Sequence, residues 1–188
     1  MKESFIHEKL IKKCRTGNQQ AQFEIYKLYY KAMYNISLRI LQDSMEAEDV
    51  MQESFLAAFS KIENRSQEVS FGSWLKKIVI NKSLDYLKKR KLNLINIENK
   101  DFILQENEVN DEELIHAKVE DVKKVVNELP DHYRIVFVMY LFEGYTHEEI
   151  SEYLEMSSEL SRVRYKRAKE MVIKNIGSKT IQQDFIYN

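Results

Sequence analysis

The sequence predicts an all-α protein of two small helical domains joined by an acidic linker. Three observations carry this. Four glycines and one proline among 188 residues leave little turn chemistry for a sheet. The long segments on either side of the middle repeat their apolar residues at helical spacing. The net charge of −1 hides strong segregation, because two basic stretches are separated by a middle rich in Asp, Glu, Asn and Gln. With 44% hydrophobic residues, the chain can bury one moderate core or two small ones. Its single cysteine, Cys14, excludes an internal disulfide. Neither a signal peptide nor an apolar run of membrane-spanning length is seen, so a cytoplasmic protein without membrane insertion is expected.

From the N-terminus, Ser4 to Arg15 suggests a short amphipathic helix that ends at Gly17, and Asn18 can cap the next one. That second helix runs to about Gln42. Its apolar set includes Phe23, Tyr26, Leu28, Tyr30, Met33, Tyr34, Ile36, Leu38 and Ile40, broad enough to predict burial on more than one side. Asp43 followed by Glu46 is a capping-box pattern that opens a third helix, SMEAEDVMQESFLAAFSKIEN. Its Val50, Ser54, Ala57 and Ala58 can pack closely, leaving Glu46, Asp49, Gln52 and Glu53 as an acidic strip. Such a strip is most simply a solvated face. Carboxylates on neighbouring helices can also hold a di-iron centre, and Glu113 and His116 have the Glu-x-x-His spacing, but a second such motif is missing. No metal or cofactor is expected.

The stretch SFGSWLKKIVINKSLDYLKKRK, from Ser70 to Lys91, predicts a fourth helix with Trp74, Ile78, Leu84 and Leu87 at roughly helical spacing. Lys76, Lys77, Lys82, Lys88, Lys89, Arg90 and Lys91 face only one acid, Asp85. A helix of this kind can pack and still offer phosphates a cationic surface. The lone tryptophan in its first turn suits either a core position or stacking on an unpaired base.

After the lysines the periodicity dissolves, and Leu92 to Glu108 reads as a tether. It returns in DEELIHAKVEDVKKVVNEL. Pro130 then suits the start of a helix whose Ile135, Val138, Met139 and Phe142 share a face, with Gly144 ending it. Thr146 with Glu149 forms a second capping box, opening a short helix whose Ile150, Tyr153 and Leu154 point inward. A turn around Met156 follows. Ser157 or Ser158 caps the last helix, which carries Arg162, Arg164, Lys166, Arg167, Lys169 and Lys174. A short helix, a tight turn and a basic second helix are what a helix-turn-helix requires, since the second must enter a groove lined by phosphates.

Both halves resemble one family. LRILQDSMEAEDVMQESFLAAFSKIENRSQEVSFGSWLKKIVINKSLDYLKKRK is similar to the second conserved region of bacterial RNA polymerase sigma factors of the extracytoplasmic-function (ECF) type, in the sigma-70 family. LPDHYRIVFVMYLFEGYTHEEISEYLEMSSELSRVRYKRAKEMV resembles their fourth region. The resemblance implies a promoter-specificity subunit with no catalytic residues, and it implies core RNA polymerase, promoter DNA and an anti-sigma factor as partners. It divides the chain into a region 2-like domain (1–91), a linker (92–109) and a region 4-like helix-turn-helix domain (110–188).

Roles follow residue by residue. The resemblance places Asp49, Gln52 and Glu53 against the clamp helices of the large polymerase subunit. It makes the loop from Asn64 to Ser70, with Arg65, Ser66 and Ser70, the capture site for a flipped base of the −10 element. Trp74 and Asn81 fall at the edge of melted DNA, with Lys76, Lys77 and Lys82 on phosphates. Arg162, Val163, Arg164, Lys166 and Arg167 face the −35 element, where arginine can read guanine and valine a thymine methyl. Where many relatives show Glu-Gly-Thr-Val, this chain has Ser158-Glu159-Leu160-Ser161, which puts the base-reading register at issue. The competing reading is a helix-turn-helix regulator that acts without stable polymerase association.

Overall fold

A computed structural model describes residues 7–66, 68–92 and 119–184, with side chains described for 7–66, 68–90 and 121–176. The proposed linker therefore lies almost wholly outside the described residues, as do Ser4, Glu113 and His116, and Lys91 is described in its backbone alone. The described secondary structure is helical, and the chain divides into two compact units, Met1–Ile97 and Glu98–Asn188.

In the first unit α1 (Glu8–Arg15) buries Ile11 and Cys14, and burial pushes the Cys14 thiol pKa up. Gly17 turns the chain with a φ of 76°, which a side chain would resist. The Asn18 side chain then accepts from the Ala21 amide at 2.9 Å, starting α2 (Gln19–Leu41). Burial on more than one side is found, since this helix packs against three others, but it does not take in the whole apolar set. Ala21, Ile25, Met33, Ile36, Ser37, Ile40 and Leu41 are buried, whereas Phe23 and Leu28 are 58% and 50% exposed. The apolar set thus divides into a broad buried arc shared among the neighbouring helices and an outward remainder.

Asp43 Oδ1 accepts from the amides of Met45 and Glu46, each at 2.9 Å, to open α3 (Ser44–Ser60). One 3-10 turn, Ile62–Asn64, follows, and α4 spans Phe71–Leu92. Helices α2, α3 and α4 pack on one another. Their buried faces contain small hydroxyl residues, namely Ser37, Ser54 and Ser83, none with any exposed surface. Ser37 Oγ lies 3.1 Å from Ser83 Oγ, while Ser83 and Ser54 each donate to a carbonyl one turn back on their own helix. Every hydroxyl is thereby satisfied without water. Since serine is small, α2 and α4 meet closely at this point.

In the second unit α5 (Val119–Asn127) packs against the last helix. Pro130 precedes α6 (Asp131–Phe137), which widens into a π-helical turn at Val138–Phe142. Tyr133 to Met139 are all buried, so this helix is enclosed rather than one-faced. Arg134, fully buried, reaches Asp131 Oδ1 at 2.5 Å. After Gly144, at φ 73°, Thr146 and Glu149 form the reciprocal capping box expected of them, and α7 covers His147–Leu154. Glu155, at φ 54°, makes the turn. Ser157 rather than Ser158 caps α8 (Ser158–Asp184), its Oγ accepting from the Leu160 amide at 3.1 Å.

The angle between α7 and α8 is tied by His147. Its ring stacks on Tyr140 at 4.4 Å, and Nδ1 lies 2.9 Å from the hydroxyl of buried Ser161. Burial lowers the His147 pKa, the nearby Arg162 charge acts in the same direction, and Glu148 opposes both.

Two predictions follow from these contacts. Ser37→Leu or Ser83→Leu forces volume into a filled crossing and should cost about 1–3 kcal/mol, read as a lower urea midpoint. A midpoint equal to that of the wild type would show that the crossing tolerates expansion. For His147 the folded pKa is below the unfolded one, so its contribution is complete above about pH 6.5 and is lost as pH falls from there to the folded value. Thermal melts across pH 7.5 to 5 should therefore fall less steeply in His147→Asn than in the wild type. Parallel slopes would contradict this.

Candidate nucleic-acid interface

Trp74, Lys77 and Asn81 recur at three and four residues along α4 and so share one outward stripe. Lys77 and Asn81 are exposed, while Trp74 is half-buried, its ring 5.8 Å from that of Phe71. Phe71, Leu75, Val79, Ile80, Leu84 and Leu87 fill the opposite face. The tryptophan is thus part of the core on one side and accessible on the other. Lys76 flanks the stripe. Ser70 sits at the helix start, where its Oγ accepts from the Ser73 amide at 3.2 Å. Ser66 is exposed and its Oγ accepts from the Glu68 amide.

Arg65 does not stand where a DNA-facing cation would. Its side chain is fully buried and gives two hydrogen bonds, at 2.8 and 2.9 Å, to the two carboxylate oxygens of Glu8. The sequence concealed this because the partner lies on α1, far away along the chain.

On α3, Asp49, Gln52 and Glu53 are exposed together, and Gln52 Nε2 donates to Glu48 at 3.2 Å. The strip is partly answered from α4. Lys82 Nζ lies 2.9 Å from Glu53, and Arg90 lies 2.9 Å from Glu46. Asp49 is in no ion pair among the described residues. Met45 and Leu56, 77% and 71% exposed, extend the same face because 45, 49, 52 and 56 share helical register. Sequence reasoning put neither on the strip, although that spacing was there to be read.

In the first turns of α8 the outward residues are Glu159, Arg162, Val163 and, partly, Lys166. Arg162 reaches Glu148 at 2.5 Å and the Ser158 hydroxyl at 3.2 Å. Backbone N–H groups at the helix start and the Ser157 hydroxyl hold the Glu159 carboxyl below its usual pKa. Arg167 is half-buried and donates to the Tyr133 hydroxyl at 3.3 Å. Arg164 is corrected, since it is only 8% exposed and shares the inward face with Ser161, Ala168 and Val172. The departure at 158–161 therefore leaves Ser161 inside, bonded to His147, and Arg162 and Val163 outside.

Comparison with known proteins places both units. Residues 25–92 match the model of Sigma-70 region 2, and residues 120–172 match that of Sigma-70, region 4. The ECF RNA polymerase sigma factor SigW of Bacillus subtilis is 27% identical over 183 residues, 90% of this chain and 96% of that protein. SigV of the same organism is 27% identical, covering 92% and 94%. In fold, the chain is similar to the sigma factor RpoE of Bartonella quintana, solved with the anti-sigma factor NepR, with a TM-score of 0.54 and 18% identity over 82% of this chain and 95% of that one. CnrH, solved with the cytosolic domain of CnrY, gives 0.51 and 20% over 93% and 96%. Two regions of one family, in order and with relatives aligned along nearly their whole length, make the chain a sigma-70 family member of the ECF type, a promoter-specificity subunit of RNA polymerase.

Proposed function

We propose that the two units divide the work of promoter recognition, residues 1–91 binding core polymerase and opening the −10 element, and residues 110–188 holding the −35 element. The exposed stripe of Trp74, Lys77 and Asn81 carries this reading, since it puts an aromatic, a cation and an amide side by side on a surface backed by a filled core. Unpairing a base costs a few kcal/mol, which stacking on the open side of Trp74 and hydrogen bonds from Asn81 would offset. Lys76, Lys77 and Lys82 would hold phosphates, Lys82 by exchanging its bond to Glu53. In the second unit Arg162 and Val163 would meet base edges, with Lys166 and Arg167 on the backbone. Asp49, Gln52 and Glu53 would dock on a basic surface of polymerase. The protein would act in the cytoplasm, without catalytic chemistry of its own. The relation to RpoE and CnrH suggests an anti-sigma factor as a further partner.

Docking is tested by Asp49→Lys. Its carboxylate is unpaired among the described residues, so reversal should weaken capture by core polymerase at least tenfold with an unchanged circular dichroism spectrum. Undiminished capture would remove this strip from the interface. Opening is tested by Asn81→Ala on a duplex promoter and on the same promoter with a mismatch bubble. Transcription should fail on the first and return on the second. Failure on both, with folding and polymerase binding intact, would show that the stripe does not drive opening.

A further inference from the structure

The guanidinium of Arg65 does more than pair with Glu8. While one terminal nitrogen is held by both carboxylate oxygens, the other donates to the backbone carbonyls of Ser66, at 3.3 Å, and Val69. One buried cation therefore gathers the two limbs of the loop between α3 and α4 and fastens them to α1. A second contact fixes the far end. Tyr29 of α2 lies 5.4 Å, ring to ring, from Phe71, and a Cβ on Gly72 would come within 3.0 Å of Tyr29 Cε1. The His7 ring also meets this tyrosine, nearly perpendicular to it at 6.1 Å. Burial raises the Tyr29 pKa, and the Arg65 charge acts against that rise, which sets phenol and guanidinium in one neighbourhood. Arg65 Nε is buried without a hydrogen-bond partner, so the cation depends on Glu8 and the loop carbonyls for its compensation. Ser66, Glu68 and Val69 meanwhile stay exposed.

We infer that Arg65, anchored by Glu8, is a positioning residue for promoter opening, holding the loop from Asn64 to Ser70 ready to receive an unpaired base. This rests on the proposal that the loop captures such a base. A loop already fixed loses little freedom on binding, whereas a released one must be ordered at the DNA's expense. Helix α1, which lies outside the matched residues 25–92, thereby becomes part of the recognition apparatus.

The test uses holoenzyme reconstituted with the full chain and a fork-junction DNA whose −10 strand is unpaired, an abasic site being walked through that strand. Wild type should lose affinity sharply at the captured position. Arg65→Lys retains a charge for Glu8 but cannot fork to both carbonyls, and Glu8→Gln releases the anchor. Both should reduce the penalty for the abasic site at least fivefold, while affinity for duplex promoter stays near wild type and Arg65→Lys, though less stable, still unfolds in one cooperative thermal transition. Folded variants that keep the full penalty overturn the inference alone. Collapse of the fold in both variants also overturns it, because the pair is then structural. A wild type indifferent to abasic sites throughout the loop's reach overturns the base-capture proposal and this inference with it.

Discussion

The close crossing of α2 and α4 governs what the first unit can present. Ser37 and Ser83 meet hydroxyl to hydroxyl with no exposed surface, so the helices approach more nearly than leucines would allow. With α4 fixed against α2, its Leu75, Val79 and Leu87 face the core, and Trp74, Lys77 and Asn81 face outward by helical geometry alone. The same packing lays α3 alongside, close enough for Lys82 and Arg90 to reach Glu53 and Glu46. The outward stripe of α4 and the acidic strip of α3 are therefore set by one shared core.

The second unit solves a different problem, that of holding a short helix at a defined angle to a long basic one. Enclosing α6 on all sides makes it a fixed post, with Phe137 and Val138 in a core shared with Ala168 and Val172 of α8. Helix α7 is too short to be stable by itself, and its capping box satisfies amide groups that its few turns leave open. His147 then links the start of α7 to Ser161 of α8, and Tyr140 buttresses the ring.

Much of this was legible in the sequence because it is local. Asn18, Asp43, Thr146 with Glu149, Gly17 and Gly144 act within one turn of themselves, and each stands where its chemistry requires. On α4 the period put Leu84 and Leu87 inside, as they are, but it chose Trp74 and Ile78, which are only half-buried, over Phe71, Leu75, Val79 and Ile80. What stayed hidden depends on partners far along the chain. Arg65 reads as a free cation until Glu8 is brought to it, Arg164 until its neighbours Ser161 and Ala168 are seen to turn inward, and Phe23 as core until the neighbours of α2 are seen to leave it exposed. Composition cannot separate a cation that meets phosphate from one that fastens a loop.

That distinction also bears on how binding strength and discrimination are shared. Pairs such as Lys82 with Glu53 and Arg162 with Glu148 are partly exposed, so each is worth little to stability and exchanges readily for a phosphate or a partner's charge. Charges of this kind are screened by salt, and the two pairs hold their side chains extended across neighbouring helices. Arg65 is of the opposite kind. Fully buried and bonded on both terminal nitrogens, it cannot be recruited by an external anion without undoing the loop, so its contribution is to shape rather than to charge. The protein thus keeps partly exposed cations on the outward faces of α4 and α8 and a buried one beneath the loop, so that charge on the surface and shape in the loop are set by different residues.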